Sequence, residues 1–463
     1  MGRWHFVVWK DRCGPLERND KVDANRYASF NPRQRGMALY AKSLHIYDFK
    51  CYGKAVLDLQ YPTRVGKDFS ELKNVNLILG DNGGGKSSIL RAIAIAALAP
   101  ALLESGFVPY RLVRRAKPDT PAVERCLLKI EAIGTLDESF ELSGNRKKPE
   151  LLARLETRGR GSLDRLHLES TPDSPIARLL ADDYSPAFFV VGYGATRRVE
   201  SGEYSESSAR RSRGLRYRRI AGLFEDQMTL RPLQLWLPRL RSRAPHRYDS
   251  VVELLNRVLP PDIRFTGERD EEDEQYVFLF NDIPTPFSAL SDGYKAFIGW
   301  VSDLIGHLCD VVPAELNLDE VPGMVLVDEI DLHLHPQWQR SVVPTLAGAF
   351  PHLQFLFTSH SPLVASTVKR ENVFITNTAD DGTATIKQLE EHVFGRSMEQ
   401  LLLSAYFGLQ STRPDAFQAE GEALFRQAAD GDANAALDFL ARLTHAAPLT
   451  TPSVSRKPGK RKE

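Results

Sequence analysis

The chain has 463 residues, of which 42% are hydrophobic and 26% are charged, and its formal net charge is zero. This composition is typical of a globular protein with a sizeable core, and the balanced charge argues against a uniformly basic surface that coats DNA. The four cysteines lie far apart without a C-x-x-C pair, so we predict neither a zinc site nor a disulfide framework. With no apolar run long enough to span a bilayer and no signal peptide, we expect a cytoplasmic protein without a membrane partner.

Residues 1–38 are polar and rich in arginine and asparagine, and Met37 stands just before the first regular pattern. They are either a flexible N-terminal arm or an extension upstream of the true start. From 41 to 61 the residues alternate with period two, which predicts two strands of a hairpin, and residues 127–142 alternate in the same way. We therefore expect an antiparallel β layer early in the chain.

A glycine-rich loop follows an apolar strand at residues 74–79 and precedes an Ala/Ile/Leu-rich helix. The loop reads G-x-x-x-x-G-K-S, and strand, loop and helix together are the context of a phosphate-binding P-loop. Its N–H groups and the positive helix end point at the anion, and a lysine adds a point charge. The residues expected to contact the nucleotide are Gly80, Asp81, Asn82, Gly83, Gly84, Gly85, Lys86, Ser87 and Ser88, with Ser87 also a magnesium ligand.

Residues 144–275 predict a mostly helical, variable insertion. It contains an apolar strand near residues 187–191 and a loop, 197–219, with eight arginines against three glutamates. That loop is either a disordered surface segment or one that orders on phosphate or nucleic acid. Residues 233–259 look helical, with breaks at Pro238 and Pro245.

Three motifs in the second half of the chain complete a nucleotide site. A hairpin at 276–287 leads into L-S-D-G-Y, with Ser291 and Gly293, and then into a helix over 296–308. An apolar strand at 324–327 ends in Asp328, which can hold magnesium, and Glu329, which can activate water. A further strand at 354–358 is followed by His360, which can hydrogen-bond a γ-phosphate.

In this order the motifs resemble the ATP-binding-cassette head of SMC/RecF-type ATPases. More narrowly, L-S-D-G-Y, D-E-I-D-L-H-L-H-P-Q-W-Q and F-T-S-H-S-P are similar to bacterial ATP-binding proteins described as involved in virulence. The ATPases of the Septu anti-phage system and of retron defence islands are similar to that group. The resemblance covers about residues 40–410.

The resemblance implies an α/β fold: a P-loop ABC-ATPase head with a mixed sheet, an antiparallel β layer, a helical insertion and a helical C-terminal extension. It also implies an ATP-sandwich homodimer. Lys86 would bind the β- and γ-phosphates, Ser87 and Asp328 would hold Mg²⁺, Glu329 would act as general base and His360 would sense the γ-phosphate. Ser291 and Gly293 would contact ATP from the other subunit.

The segments expected on this basis are an N-terminal extension (1–38), two halves of the head (39–143 and 276–395) flanking the insertion (144–275), a helical extension (396–446) and a basic tail (447–463). The sequence departs from the pattern at two points. His335 replaces the usual D-loop aspartate, and no Q-loop glutamine is found. Residues 144–275 also lack the sustained heptads of a coiled coil.

The function expected is an ATPase that senses nucleotide state and regulates a partner effector, such as an HNH-type nuclease, in anti-phage defence. One alternative is a RecF/SMC-like protein that uses ATP to bind DNA in repair or recombination. An OLD-type nuclease is a weaker alternative, because Asp430-Gly431-Asp432 lies between two amphipathic helical patterns and reads as a turn. The nucleotide-binding subunit of a membrane transporter is a further alternative, and the L-H-L-H-P segment argues against it.

Overall fold

The structure is a computed structural model. It describes residues 40–65, 71–103, 105–115, 122–133, 150–157, 162–167, 180, 183, 189–197, 213–226, 228–270, 274–312 and 316–445. The chain divides into two compact units, one that ends at Leu401 and one that begins at Leu402. The predicted N-terminal extension and basic tail lie outside the described residues, and the predicted segment boundaries stay predictions.

Within the described residues, the strands are β1 (Tyr40–Phe49), β2 (Tyr52–Asp58), β3 (Val75–Gly80), β4 (Arg125–Ile133), β5 (Glu150–Thr157), β6 (Asp164–His167), β7 (Phe189–Tyr193), β8 (Ile263–Arg269), β9 (Tyr276–Phe280), β10 (Ile283–Pro286), β11 (Gly323–Val327), β12 (Leu353–Thr358), β13 (Val373–Thr378) and β14 (Ala384–Lys387). The helices are α1 (Lys86–Leu102), α2 (Leu215–Ile220), α3 (Leu233–Arg243), α4 (Pro245–Val258), α5 (Asp292–Val311), α6 (Pro336–Gln339), α7 (Val342–Ala349), α8 (Pro362–Ala365), α9 (Met398–Leu402), α10 (Asp415–Ala429) and α11 (Ala433–His445).

One mixed sheet carries eleven of the described strands in the order β6-β5-β4-β1-β2-β14-β13-β3-β12-β11-β7. The end from β6 to β2 is antiparallel, whereas β13, β3, β12, β11 and β7 run parallel to one another. Strands β7, β11 and β12 are buried at every position, as expected of parallel strands covered on both faces. The predicted α/β fold with a mixed sheet and an antiparallel layer is therefore confirmed.

Helix α1 packs against the sheet and belongs to the main hydrophobic cluster. Ile89, Ile93 and Leu98 are completely buried, and most of the remaining side chains of the helix are buried too. A helix that is apolar around its whole circumference has to lie inside the protein. Its first residue is Lys86, so the same packing that buries the helix fixes the end of the glycine loop.

The prediction of a mostly helical segment over residues 144–275 is wrong in its first part. Strands β5 and β6 lie there, and β5 pairs with β4, with Leu155 opposite Cys126. The Leu/Ala/Arg run of β5 fits either a helix face or a strand, and the unpaired backbone groups of β4 select the strand, because they gain a ladder of hydrogen bonds. The predicted strand near 187–191 is present as β7 and belongs to the parallel part of the sheet.

The later part of this segment is helical. The predicted break at Pro245 is present, since α4 begins there, but α3 runs through Pro238. Leu233 and Leu237 anchor α3 in the core before the proline. The helix therefore continues at the loss of one backbone hydrogen bond.

Two observations concern the remaining parts of the chain. No helix within the described ranges is both long enough and apolar enough to cross a membrane. In the unit that begins at Leu402, α10 and α11 form a hairpin through Asp430-Gly431-Asp432, where Gly431 has φ +101°. The prediction that this D-x-D sequence is a turn is confirmed.

Candidate functional site

The glycine loop lies between β3 and α1 and is built from backbone conformations that favour glycine. Gly80, Gly83 and Gly85 have φ values of +141°, +81° and +92°. A Cβ at Gly80 would lie 2.2 Å from Oγ1 of Thr376, and one at Gly85 would lie 2.6 Å from Sγ of Cys51. Both the left-handed backbone and the close neighbours therefore require glycine, and the loop remains open enough to receive an anion.

Lys86 is the first residue of α1, and its side chain folds back over the loop. Nζ donates to the carbonyl oxygens of Gly80 and Asp81, each at 2.9 Å. Burial lowers the pKa of Lys86, while the carboxylates of Asp328 and Glu329 act in the opposite direction. The ammonium group thus lies in the field of the β11 carboxylates, and it can exchange loop carbonyls for phosphate oxygens.

The end of β11 places two carboxylates beside the loop. Asp328 is 7% exposed and accepts a 2.5 Å hydrogen bond from Oγ1 of Thr358, at the end of β12. The same hydroxyl accepts from the N–H of Glu329 at 2.7 Å. Thr358 therefore joins the two predicted acidic residues through one side chain, which motif comparison alone does not reveal.

Glu329 has φ +50°, a left-handed conformation that costs a residue other than glycine about 1–2 kcal/mol. Its neighbours hold this conformation by hydrogen bonds: Asp328 N–H donates to the carbonyl of Tyr193 at 2.8 Å, and Ile330 N–H donates to that of Thr358 at 2.9 Å. The left-handed turn thus places Glu329, which is half-buried, directly after the end of β11. Such outliers are concentrated at functional sites.

Arg197 lies beside the Asp328–Glu329 turn, although the sequence predicts only that the 197–219 loop is a disordered surface segment or one that orders on phosphate or nucleic acid. Its guanidinium donates to the carbonyl oxygens of Asp328, at 3.0 Å, and of Glu329. Burial lowers the pKa of Arg197 to about 10, against the opposing effect of Asp328, Asp331 and Glu329. The available signal was its position four residues after the apolar strand β7, but nothing local in the sequence pairs β7 with β11.

The other described arginines of the 197–219 loop also differ from the expectation of a solvated loop. Arg216 and Arg219 are buried, and they donate to the carbonyls of Leu180 and Asp183 at 3.1 and 3.3 Å. Residues 198–212 lie outside the described part of the chain. These two arginines therefore stabilise the fold and do not form a basic face for nucleic acid.

His360 follows β12 and Ser359 and is partly buried. Because β12 lies between β3 and β11, His360 leaves the sheet between the glycine loop and the Asp328–Glu329 turn. Its backbone is held in place by its neighbour Ser361, whose side chain caps α8 and donates to Oε1 of Gln339 at 2.6 Å. The predicted nucleotide-side residues thus meet at one edge of the sheet, where ligands bind in open α/β folds.

Ser291 and Gly293 are not part of this edge. Ser291 precedes α5, and a Cβ added at Gly293 would lie 2.5 Å from the carbonyl oxygen of His333. The start of α5 therefore packs closely against the turn that follows Glu329. Aromatic contact extends this packing, because the rings of Phe297 and Trp338 have centroids 4.4 Å apart. His335, the departure from the D-loop pattern, caps α6 by accepting from Gln337 N–H at 3.3 Å.

The side chains proposed to hold Mg²⁺ offer oxygen ligands, which this hard cation prefers. Ser87 offers a hydroxyl and Asp328 a carboxylate, one oxygen of which is used by Thr358. Mg²⁺ commonly takes one or two protein ligands and completes its shell with phosphates and water, so these residues fit that ion when it arrives with a nucleotide. Near Lys86, Oδ1 of Asp331 is buried and accepts no hydrogen bond from the described residues, which leaves an acceptor for a bound water.

No Q-loop glutamine follows β7, where the sequence reads Gly-Ala-Thr-Arg.

Comparison with known proteins places the chain in a family. A family model described as "AAA domain, putative AbiEii toxin, Type IV TA system" matches residues 75–366, and one described as "AAA domain" matches residues 43–100. The chain belongs to the first of these AAA-domain families. The matched range of this AAA domain contains the glycine loop, the Asp328–Glu329 turn and His360.

Two curated relatives of this AAA protein carry names from defence systems. "Septu protein PtuA" of Bacillus mycoides (strain KBAB4) is 26% identical over 414 residues, which cover 86% of this chain and 48% of the relative. "Retron Vc95 probable ATPase" of Vibrio cholerae serotype O1 biovar El Tor is 25% identical over 401 residues, covering 73% of this chain and 74% of the relative. The chain thus spans about half the length of the Septu relative. The predicted resemblance to Septu and retron ATPases is confirmed.

A solved structure described as "Crystal structure of the SmcHead bound to the C-winged helix domain of ScpA" is also similar. It is 16% identical, with a TM-score of 0.47, and the match covers 76% of this chain and 98% of that chain.

Proposed function

We propose that this protein binds and hydrolyses ATP at the edge formed by the glycine loop and the ends of β11 and β12. Lys86 binds the phosphates, Ser87 and Asp328 hold Mg²⁺, Glu329 takes the proton of the attacking water and His360 contacts the γ-phosphate. Mg²⁺ neutralises the charge that develops on the phosphates. The observation that carries the proposal is the strand order: β12 pairs in parallel with both β3 and β11, so the glycine loop with Lys86 and the Asp328–Glu329 turn follow the same ends of neighbouring strands.

Glu329 meets the geometric demand on a general base. Its backbone is held in a left-handed turn, and its N–H is bonded to Thr358. The backbone that carries the proposed base therefore does not have to reorganise before reaction, and positioning is a main part of how proteins accelerate phosphoryl transfer. Asp328, tied to the same threonine, keeps its remaining carboxylate oxygen for the metal.

The site is completed by a second copy of the chain. Gly293, two residues after Ser291, lies against the turn of His333, whereas the residues around Lys86 come from the glycine loop and the end of β11. In an ATP-sandwich dimer, the start of α5 of one subunit would face the nucleotide held by the other. The contact of Gly293 with His333 then joins the surface that meets the partner to the turn that carries Glu329.

The biological role that fits best is control of a partner effector by nucleotide state in anti-phage defence. The names of the Septu and retron relatives support this role. An effector such as an HNH-type nuclease is proposed from the resemblance alone. The DNA-binding alternative has less support, because Arg216 and Arg219 of the 197–219 loop are buried and bind carbonyls, and Arg213 pairs with Glu225.

The test is to purify the wild-type chain, Lys86→Ala and Glu329→Gln and to measure ATP turnover, ATP affinity and mass by light scattering. We expect turnover only in the wild type, weak ATP binding in Lys86→Ala, and ATP retention with a doubled mass in Glu329→Gln. Turnover by Glu329→Gln at the wild-type rate would remove the general base from the proposal. A Glu329→Gln protein that stays monomeric at saturating ATP and Mg²⁺ would remove the sandwich dimer.

A further inference from the structure

We propose that Arg197 is a positioning residue for ATP hydrolysis, which holds Glu329 in its productive conformation by binding the peptide carbonyls of Asp328 and Glu329. This inference rests on the proposed function, in which Glu329 is the general base. Arg197 contacts the backbone of the base and leaves the base's carboxylate free for water.

The hydrogen bonds around the turn support this role. The N–H groups of Asp328, Glu329 and Ile330 are taken by Tyr193, Thr358 Oγ1 and Thr358 carbonyl respectively. Arg197 donates to the carbonyls of both Asp328 and Glu329, and the Glu329 carbonyl also accepts from the N–H of Leu332 at 3.0 Å. Both hydrogen bonds come from Nη2 of Arg197, whose N–H groups are fixed in the guanidinium plane, so this one nitrogen binds two neighbouring carbonyls. The positive φ of Glu329 is thus held from both sides.

The segment that carries Arg197, residues 193–197 at the end of β7, is itself fixed by contacts. Tyr193, at the end of β7, donates through its hydroxyl to Asp303 of α5 at 2.9 Å. At Gly194 a Cβ would lie 2.2 Å from the carbonyl of Gly222, so this turn packs directly on backbone. Arg197 N–H then donates to the carbonyl of Ala195 at 3.1 Å. The guanidinium is therefore delivered to the Glu329 turn by a rigid strand end and not by a free loop.

The charge of Arg197 indicates a role beyond that of a hydrogen-bond donor that only stabilises the fold. Burying a guanidinium is unfavourable, and a neutral donor such as asparagine could bind a carbonyl at less cost. Three carboxylates, those of Asp328, Asp331 and Glu329, lie close enough to oppose the effect of burial on its pKa. Arg197 therefore offsets part of the negative charge that accumulates where a phosphate chain has to bind.

The experiment measures kcat, ATP affinity and thermal unfolding for Arg197→Ala and Arg197→Lys in the full chain. We expect ATP affinity and the unfolding temperature of Arg197→Lys to stay near the wild-type values. We expect kcat to fall on the order of 100-fold in Arg197→Ala, since a small misplacement of a catalytic group has an effect of this size. Arg197→Lys should show a smaller loss, because an ammonium group retains the charge but lacks the fixed planar arrangement of N–H donors.

Added guanidinium ion at a non-denaturing concentration separates positioning from folding. Arg197 lines a cavity of about 210 Å³ next to β7, so a free guanidinium ion has a path to the vacated position. We expect it to restore part of the kcat of Arg197→Ala and none of that of Glu329→Gln. Arg213→Ala is the matched control, because Arg213 lines the same cavity but pairs with Glu225 and should leave kcat unchanged.

The outcomes separate this inference from the function on which it rests. If the wild-type chain does not turn over ATP, the proposed function fails. If the wild type turns over and Arg197→Lys and Arg197→Ala match it in kcat, only the positioning role fails. If Arg197→Ala does not fold, the result for Arg197→Lys decides: a kcat equal to that of the wild type, or a loss of ATP affinity as large as the loss of kcat, would overturn the role.

Discussion

At the scale of single residues, Thr358 is the side chain on which the two acidic residues of the site depend. One hydroxyl donates to Asp328 and accepts from the N–H of Glu329. It is completely buried, so water cannot replace it. The geometry of the site therefore depends on a residue that takes no part in the chemistry.

Thr358→Val should show this dependence. It removes the hydroxyl and nearly keeps the shape, leaving the N–H of Glu329 and one oxygen of Asp328 without a partner. We expect a loss of about 1–3 kcal/mol in the free energy of unfolding, and a lower kcat. Denaturant unfolding and steady-state turnover measure the two effects. Thr367→Val is the control, since the Thr367 hydroxyl binds only the carbonyl of Val364. An unchanged kcat in Thr358→Val would contradict the argument.

The sequence predicts those site residues that lie close together along the chain, and it misses those that meet only because distant strands pair. The glycines and Lys86 are readable because loop, strand and helix are contiguous in the chain. Arg197 and Asp328 are 131 residues apart in the chain, and they meet only because β7 pairs with β11. No local pattern encodes that pairing, so the sequence leaves the 197–219 loop either as a disordered surface segment or as one that orders on phosphate or nucleic acid, and it does not connect Arg197 with Asp328.

At the scale of elements, the apolar strands β3, β11 and β12 could be predicted, since continuous burial requires continuous hydrophobic runs. Strand β5 could not, because Leu/Ala/Arg/Leu also satisfies a helix and the deciding factor is the free edge of β4. The hydrogen-bonding demand of a neighbouring strand overrides local preference. Hydrophobic patterns therefore predict the buried parallel strands that lead into the proposed site better than they predict the antiparallel layer beside them.

The packing of α5 on the turn after Glu329 leads to a prediction for Gly293→Ala. The new methyl group would approach the His333 carbonyl to 2.5 Å, and a backbone atom cannot swing aside as a flexible side chain can. We expect ATP affinity to be retained and kcat to fall, because the displaced turn carries Glu329. Gly348→Ala is the control, since nothing lies within 4 Å of a Cβ at that position. Equal loss of turnover in both variants would point to a general effect of replacing glycine.

A second element contact, between β7 and α5, predicts a pH dependence. Asp303 is buried and accepts from Tyr193 Oη at 2.9 Å and from Arg231 N–H at 3.0 Å, and its Oδ2 lies 3.3 Å from Nε2 of His307. Burial alone would raise the pKa of Asp303, but His307 and Arg231 outweigh it and hold the pKa below its ordinary value. A carboxyl whose pKa is lowered by folding stabilises the protein above its unfolded pKa and loses that contribution as the pH falls through the folded one.

Asp303→Asn should therefore be less stable than the wild type at neutral pH, by about 2 kcal/mol. The difference should begin to shrink below pH of about 4, where the carboxyl of the unfolded chain binds a proton, and should disappear as the pH falls through the lower pKa of the folded Asp303. Urea unfolding at a series of pH values measures this difference. The control is Asp249→Asn, an exposed aspartate on α4. A difference that stays constant down to the most acidic pH would assign the effect to packing and not to charge.

At the scale of the whole molecule, the residues proposed to bind and hydrolyse ATP all belong to the unit that ends at Leu401. The unit that begins at Leu402 contributes the hairpin of α10 and α11. Phe425, Leu437 and Leu440 on this hairpin are exposed by 60%, 65% and 56%, and no residue of α10 is buried. Large apolar side chains that stay exposed on a helical hairpin are typical of a surface that meets another protein.

A chain that ends at Gln410 should separate the two tasks. Because it keeps every site residue and the whole mixed sheet, we expect ATP affinity, kcat and unfolding temperature to match those of the full chain. We propose that the hairpin passes the nucleotide state to the effector, so in cells that carry the chain and its proposed effector we expect the shortened chain to fail in defence as completely as Lys86→Ala. Plating efficiency of phage on the two strains, together with turnover of the purified protein, decides the matter. Full protection by the shortened chain would place the contact with the effector on the ATPase unit itself, and loss of turnover would mean that the hairpin takes part in building the site.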